Sequence, residues 1–310
     1  MVDKPLETPV LFIVFSRLET TGKVFQAIRR ERPRKLFIAA DGPRAGNKLD
    51  EVNCKKVREI VNKVDWPCVV KKRFSKKNQG CRVAESEAIN WFFENVEEGI
   101  ILEDDDLPNR SFFKFCGEML EKYRDDERVM HISGNNFQRG WKRDEYSYYF
   151  SRNPHIWGFA TWRRAWKKYY DVDTKIYPEI VRKGYFSDIF DNAFEKRTLM
   201  SNLNSTHYNN FDTWDYQWVF AVAVNNGLAI IPNENLVRNI GMTSSAVHTS
   251  SILDEEFSLP TNELEFPLKR PPFIIHDKKS DRRYFWWLFV KKLRNLILRK
   301  TGLAVFFKRK

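Results

Sequence analysis

Apolar positions in the first half of the chain fall into two alternating patterns. Short unbroken runs, such as "PVLFIVFSR" from Pro9 and "GIILEDDD" from Gly99, read as strands buried on both faces. Between such runs, apolar residues recur at helical spacing. In "ETTGKVFQAIRRE" Val24, Phe25 and Ile28 share one face, and in "KLDEVNCKKVREIVNKV" Val52, Val57, Ile60 and Val61 come close to doing so. "KLFIAADGPR", "PCVVKKRF" and "RVMHISG" add strands, and "RVAESEAINWFFENV" and "RSFFKFCGEMLEKYRDD" add helices.

This strand–helix alternation predicts an α/β fold, an open, mixed but mainly parallel sheet flanked by helices. Ligands of such sheets bind outside the carboxyl ends of the strands. The polar residues expected there are Arg17 after the first strand, Asp41 after the second and an acidic cluster after the fourth. The second half is less regular and rich in aromatic residues, as in "NPHIWGFATWRRAWKKYY" and "NNFDTWDYQWVFAVAVNNG". No clear linker separates the halves, so they are expected to share one core. The expected division is a single catalytic domain over 1–268, with a nucleotide-binding half to about 135 and an acceptor-side half from about 136, followed by a tail over 269–310.

Charge sharpens that division. The chain carries 53 Lys and Arg against 41 Asp and Glu, a net +12. Lys269 to Lys310 holds 14 of the basic and 2 of the acidic residues, which leaves 39 of each elsewhere. A neutral globule with a basic tail does not suit a nucleic-acid-binding domain, so no nucleic acid is expected as a partner. In the tail, Phe285, Phe289, Leu293, Leu296 and Ile297 recur at helical spacing beside Lys291, Lys292, Arg294, Arg299 and Lys300. That combination predicts an amphipathic helix lying on an anionic membrane surface, or else one packed on the globule with its charges in water. The apolar run from Tyr284 to Val290 is too short to span a bilayer.

Cys54, Cys68, Cys81 and Cys116 form no C-x-x-C pair, which predicts reduced thiols in a cytosolic protein. The first residues lack a basic region, and Val10 to Phe15 is too short for a signal peptide. The expected location is therefore cytoplasmic, peripheral on the inner membrane face.

The acidic run Glu103, Asp104, Asp105, Asp106 follows directly on the apolar Ile100, Ile101 and Leu102. Hard cations such as Mn²⁺ and Mg²⁺ prefer carboxylate oxygens, and a strand end is a rigid mount for them. Alternation along a strand predicts Glu103 and Asp105 on one face and Asp104 on the other. The competing reading is a solvated turn, with Asp106 or Asn109 capping the helix that follows.

"IILEDDDLPNRSFFKF" resembles the acidic metal motif of GT-A-fold glycosyltransferases, in particular the N-acetylglucosaminyltransferase I-like group. "PVLFIVFSRLETTGKVFQAI", "IAADGPR", "NQGCRVAESEAINWFFENVEEG", "WGFATWRRAW", "FDTWDYQW" and "NIGMTSSAVHTS" resemble further segments of that group, in the same order. The likeness spans about Pro9 to Ser251 and excludes the tail. It implies a GT-A-type sheet and a metal-dependent, inverting transfer of sugar from a nucleotide-diphosphate donor, UDP-linked, to a hydroxyl of a glycan or lipid-linked acceptor. It implies Mn²⁺ or Mg²⁺ held by Asp105, with Asp106 left as an alternative by the pattern Asp104-x-Asp106. Glu103 and Asp104 would contact the donor sugar and ribose, Asp41 the uracil imide, and Arg17 the nucleotide or diphosphate. Arg82 stands where that group has a basic residue. Asp215 would be the general base, Trp214 a sugar platform or a core residue, and His248 a metal or diphosphate ligand.

Plainer roles compete at several of these positions. Asp41 suits a turn before Gly42 and Pro43, and Asp212 with Asp215 resembles an imperfect capping box. Two other functions compete as well. A sugar nucleotidyltransferase would open with a Gly-rich, basic loop, which "FSRLETTGKVF" matches poorly. A non-catalytic, membrane-associated scaffold would not need Glu103, Asp105 and Asp215 together.

Overall fold

A computed structural model describes residues 4–190, 192–241 and 259–300. In chain order it contains β1 (Val10–Val14), α1 (Leu18–Glu31), β2 (Lys35–Ala40), α2 (Lys48–Val61), β3 (Val69–Phe74), α3 (Cys81–Asn95) and β4 (Glu98–Glu103). Then follow β5 (Asp106–Pro108), α4 (Arg110–Lys122), β6 (Val129–Ser133), β7 (Tyr148–Ser151), β8 (Phe159–Trp162) and α5 (Arg163–Tyr169). The chain continues through α6 (Tyr177–Arg182), α7 (Phe186–Ile189), α8 (Ala193–Tyr208), α9 (Asp215–Val224), β9 (Leu228–Pro232), β10 (Val237–Asn239) and α10 (Lys278–Lys300).

Eight strands form one sheet in the order β3-β2-β1-β4-β8-β6-β9-β7. The β1–β2, β2–β3, β1–β4 and β6–β9 pairs are parallel, while β8 runs antiparallel to both of its neighbours and β7 antiparallel to β9. The sheet is thus mixed and mainly parallel, as the alternation of strands and helices predicts.

Both faces are covered, which explains the unbroken apolar runs. Val10, Phe12 and Val14 of β1 belong to a core shared with α1, α2 and α4. Leu11 and Ile13 belong to a second core shared with α3, α5 and α9, which includes Trp166, Trp214 and Trp218. Each such fully buried Val, Ile or Phe contributes about 1.5–3 kcal/mol. Each of these two cores contains residues from both halves of the chain. A smaller cluster of Tyr177, Phe186, Leu199, Leu203 and Phe220 joins α6–α8 to α9.

Two of the helix starts were open questions in the sequence. Asn109, not Asp106, caps α4, its Oδ1 accepting from Phe112 N (3.0 Å). Asp212 does not cap α9, whose N-cap is Trp214. Instead its carboxylate accepts from the backbone N of Cys81 (2.9 Å) and Arg82 (2.8 Å), at the start of α3. The reason is steric room at Gly80, where an added Cβ would lie 2.8 Å from Asp212 Oδ2.

Candidate active site

Strand order reverses between β1 and β4, and the carboxyl ends of these two strands lie side by side. An ion-paired cluster spans them. Arg17 Nη1 donates to Asp104 Oδ1 (3.0 Å) and to Asp105 Oδ2 (2.6 Å). Phe15 N, at the end of β1, donates to Asp104 Oδ2 (3.1 Å). Burial works against charge on Arg17, but Asp104 and Asp105 outweigh it and keep the guanidinium protonated.

The alternation expected across the acidic run stops at Glu103. Strand β4 ends there, and Asp104 and Asp105 form a turn before β5. A turn does not preserve the two-residue period, so Asp104 and Asp105 converge on one guanidinium instead of facing opposite ways. Asp106 is committed elsewhere. Its Oδ2 accepts from Gly158 N (2.7 Å) and Glu103 N (3.3 Å), and its Oδ1 from Asn239 Nδ2 (3.5 Å). Asp105 Oδ1, in contrast, is buried with no hydrogen-bond partner.

Glu103 connects this cluster to the aromatic half. Trp214 Nε1 donates to Glu103 Oε1 (3.3 Å), and Trp214 itself is 2% exposed, its ring stacked on Phe159 (5.7 Å). The indole is therefore a core residue whose edge fixes a carboxylate. Asp215, the first residue of α9, acts on the same group. Burial, then the charge of Asp105, pushes Glu103 up to about 7, with Asp104 and Asp215 adding to it. Asp215 Oδ1 accepts from Thr213 Oγ1 and from Tyr216 N (2.9 Å), which orients it in the first turn of the helix.

Glu85 joins the cluster, although the sequence reading passed over it. Its Oε2 is buried, and burial, followed by the charge of Glu103, holds its pKa well above the usual carboxylate range. Burial beside Glu103 favours the protonated form of Glu85, and Cys81 Sγ contacts Glu85 Oε1 (3.2 Å). The signal was an acid within an otherwise apolar helical stripe, Cys81, Glu85, Ala88, Ile89, Phe92. Asp212 gave no comparable signal, because its partners lie about 130 residues away.

Asp41 and Arg82 sit at the margin. Asp41 accepts from Gly42 N (2.7 Å), Gln79 N (3.0 Å) and Asn78 Nδ2 (2.8 Å), which ties β2 to the loop before α3. Burial raises its pKa against those hydrogen bonds. Arg82 Nη2 donates to Val172 O (2.8 Å) and Asp173 Oδ1 (3.3 Å). His248 lies outside the described residues.

Two predictions arise from this geometry. Burial also raises Asp105, to about 6, against the pull of Arg17. A carboxyl whose pKa is higher folded than unfolded binds the extra proton in the folded state, so stability falls as pH rises through that interval. The metal-free protein is expected to melt several degrees lower at pH 8 than at pH 5, the loss beginning at about pH 4 and continuing past about pH 7 because Glu85 and Asp106 are raised as well. A melting temperature that rises over that range would contradict the protonation assigned to Glu103 and Asp105.

The second concerns Gly241, which follows β10 in the ribbon paired to β5. A Cβ there would lie 2.1 Å from Asp105 Oδ2. Gly241→Ala is expected to displace that carboxylate at a cost of about 1–3 kcal/mol of overpacking. Thermal denaturation together with Mn²⁺ titration would test it, and wild-type values in both would mean that the loop yields freely.

Solved structures with detectable likeness to the chain include the following two. A cytidylyltransferase from Leptospira borgpetersenii serovar Hardjo-bovis (strain JB197) is 7% identical over 68% of this chain and 75% of its own, with a TM-score of 0.31. A UDP-glucose pyrophosphorylase complexed with UDP-glucose is 11% identical over 73% of this chain and 90% of its own, with a TM-score of 0.34. At this closeness neither argues for a substrate or a reaction. No family model and no curated protein matches the chain.

Proposed function

We propose that this protein is a metal-dependent, GT-A-type glycosyltransferase that moves a sugar from a UDP-linked donor to a hydroxyl of a glycan or lipid-linked acceptor, with inversion. The observation that carries this reading is the cluster at the strand switch point. There Arg17 meets Asp104 and Asp105, and Asp215 acts on the same group through Glu103.

A divalent cation, Mn²⁺ or Mg²⁺, fits the donor set. Asp105 offers a hard oxygen that is buried and has no hydrogen-bond partner, whereas Asp106 is bound to the backbone of Gly158 and Glu103. Among the described residues no three His, Cys, Asp or Glu side chains converge to cage an ion. Asp105 would therefore share the ion with donor phosphates and water, a common arrangement for Mg²⁺, and His248 would be a further ligand. Such an ion, when bound, neutralises charge growing on the leaving diphosphate.

The chain's own residues do the rest. Arg17 presents a planar fork that suits phosphate oxygens. Asp41 already accepts from Gly42, Asn78 and Gln79, and would take the uracil imide N–H in exchange for, or beside, one of these donors. Glu103 and Asp104 line the donor sugar and ribose. Trp214 holds Glu103, and Arg82 anchors the segment at Val172 and Asp173. Asp215 removes the acceptor hydroxyl proton as that oxygen bonds to the anomeric carbon and UDP departs.

A panel of nucleotide sugars assayed for UDP release tests this reading. One UDP-sugar is expected to release UDP in Mn²⁺, and EDTA is expected to stop it. Release of pyrophosphate from UTP and a sugar 1-phosphate would instead identify a nucleotidyltransferase. Failure to bind UDP with or without metal would leave a scaffold.

A further inference from the structure

We propose that α10 is a membrane-docking element whose outer face lies in the headgroup region of an anionic bilayer. Spacing in the sequence put Phe285 on the docking face. The structure turns Phe285 inward, at 7% exposed, and Lys291 with it, at 8%. The outward stripe consists of Trp286, Phe289, Val290, Leu293, Leu296 and Ile297, each between 39% and 66% exposed. These positions recur at i, i+3, i+4, i+7, i+10 and i+11, which places them on one side of a helix over about 16 Å.

The helix is fixed to the globule. Asp281 accepts from Ser151 Oγ (2.6 Å) and Arg152 N (3.2 Å) and pairs with His276 (2.6 Å). Gln138 Nε2 donates to Ser280 O (2.8 Å). Lys292 Nζ reaches Thr198 Oγ1 of α8 (3.4 Å), and Phe289 meets Phe194 edge-on at 5.2 Å. Phe289 thus marks the edge of the stripe next to α8, and the remaining stripe residues stay outside because the opposite side is already occupied by the globule. Contiguous apolar surface of this kind is uncommon on a protein that meets only water.

Charge selects the occupant. Lys278, Lys279, Arg282 and Arg283 are exposed over the first turns, and Lys292 is exposed beside the stripe. The single acidic residue of α10, Asp281, is buried. A second copy docking by twofold symmetry would bring two such basic surfaces together, and an anionic lipid surface neutralises one instead. No helix among the described residues is long and apolar enough to cross a membrane. An apolar stripe flanked by basic residues suits a helix lying in the interface. This inference does not depend on the transferase reading.

Flotation of the full chain with phosphatidylcholine vesicles, with and without phosphatidylglycerol, tests it. Wild-type protein is expected to bind the anionic vesicles about ten-fold better than the neutral ones, with the preference reduced by high salt. Val290→Ser with Leu293→Ser is expected to cut binding about ten-fold. Both positions are exposed, so melting temperature serves as the check on folding. A second variant, Arg282→Glu with Arg283→Glu, is expected to remove the anionic preference. Equal recovery of wild type and the serine variant with anionic vesicles would overturn the proposal. So would a concentration-dependent dimer, seen by sedimentation, that the serine variant abolishes. Loss of binding on deleting 301–310, with the serine variant still binding, would do the same.

Discussion

Asp215→Asn is expected to slow sugar transfer by about 10²- to 10⁴-fold, the usual worth of a general base, while leaving UDP affinity within about two-fold of wild type. The substitution keeps size and shape. The Asn oxygen still accepts from Thr213 Oγ1 and Tyr216 N, so the first turn of α9 stays oriented. What disappears is the ability to take a proton. Two consequences separate this role from a structural one. Removing the negative charge relieves Glu103, whose proton affinity Asp215 helps to raise. Binding of the donor half should accordingly persist or improve slightly. Turnover measured beside UDP titration decides the matter, and near-normal turnover would remove Asp215 from the mechanism. Loss of UDP binding together with turnover would make it a residue that holds the site in shape.

Arg17→Met is expected to lower the stability of the metal-free protein by about 2–3 kcal/mol at pH 7.5. Breaking a fully buried pair costs about 3–5 kcal/mol. Arg17 is 34% exposed on its side chain while Asp104 and Asp105 are 6% and 9%, so water screens part of the loss. Two buried carboxylates left with no guanidinium between them take up protons more readily. Their pKa values rise further, and stability then falls more steeply with pH than in wild type. A divalent cation supplies the missing charge, so saturating Mn²⁺ should recover most of the lost stability. Melting curves with and without Mn²⁺ at pH 5.5 and 7.5 measure all three effects. A variant as stable as wild type at pH 7.5 would mean that Arg17 does not neutralise the cluster. A loss that Mn²⁺ does not repair would mean that the cation and the guanidinium do not answer the same charge.

Much of the fold was legible because its causes are local. "PVLFIVFSR" and "KLFIAA" are apolar at every position, which only a strand covered on both faces needs, and they form β1 and β2. Val24, Phe25 and Ile28 share a face because helical geometry puts them there, and they are buried in α1. The sequence also located the acidic run at a strand end, since the apolar residues stop at Leu102 and β4 ends at Glu103.

Partners were not legible, because a side chain's direction beyond a strand end depends on what packs against it. Asp104 and Asp105 converge on Arg17 nearly 90 residues away, and Asp106 turns to Gly158 about 50 residues away. Asp212, read as a local cap, serves α3 because Gly80 leaves space for its carboxylate. Phe285 fits the outer stripe of α10 by spacing, yet it packs inward because contacts with the globule set the rotation of the helix. Sequence by itself determined most elements of the first half, the sheet class and the acidic strand end, since each follows from the period of burial along a short segment. Only the tertiary structure decided which carboxylate faces Arg17, which is bound to backbone, and which side of the last helix meets the surroundings. Those choices arise from burial and charge among residues that the chain keeps far apart.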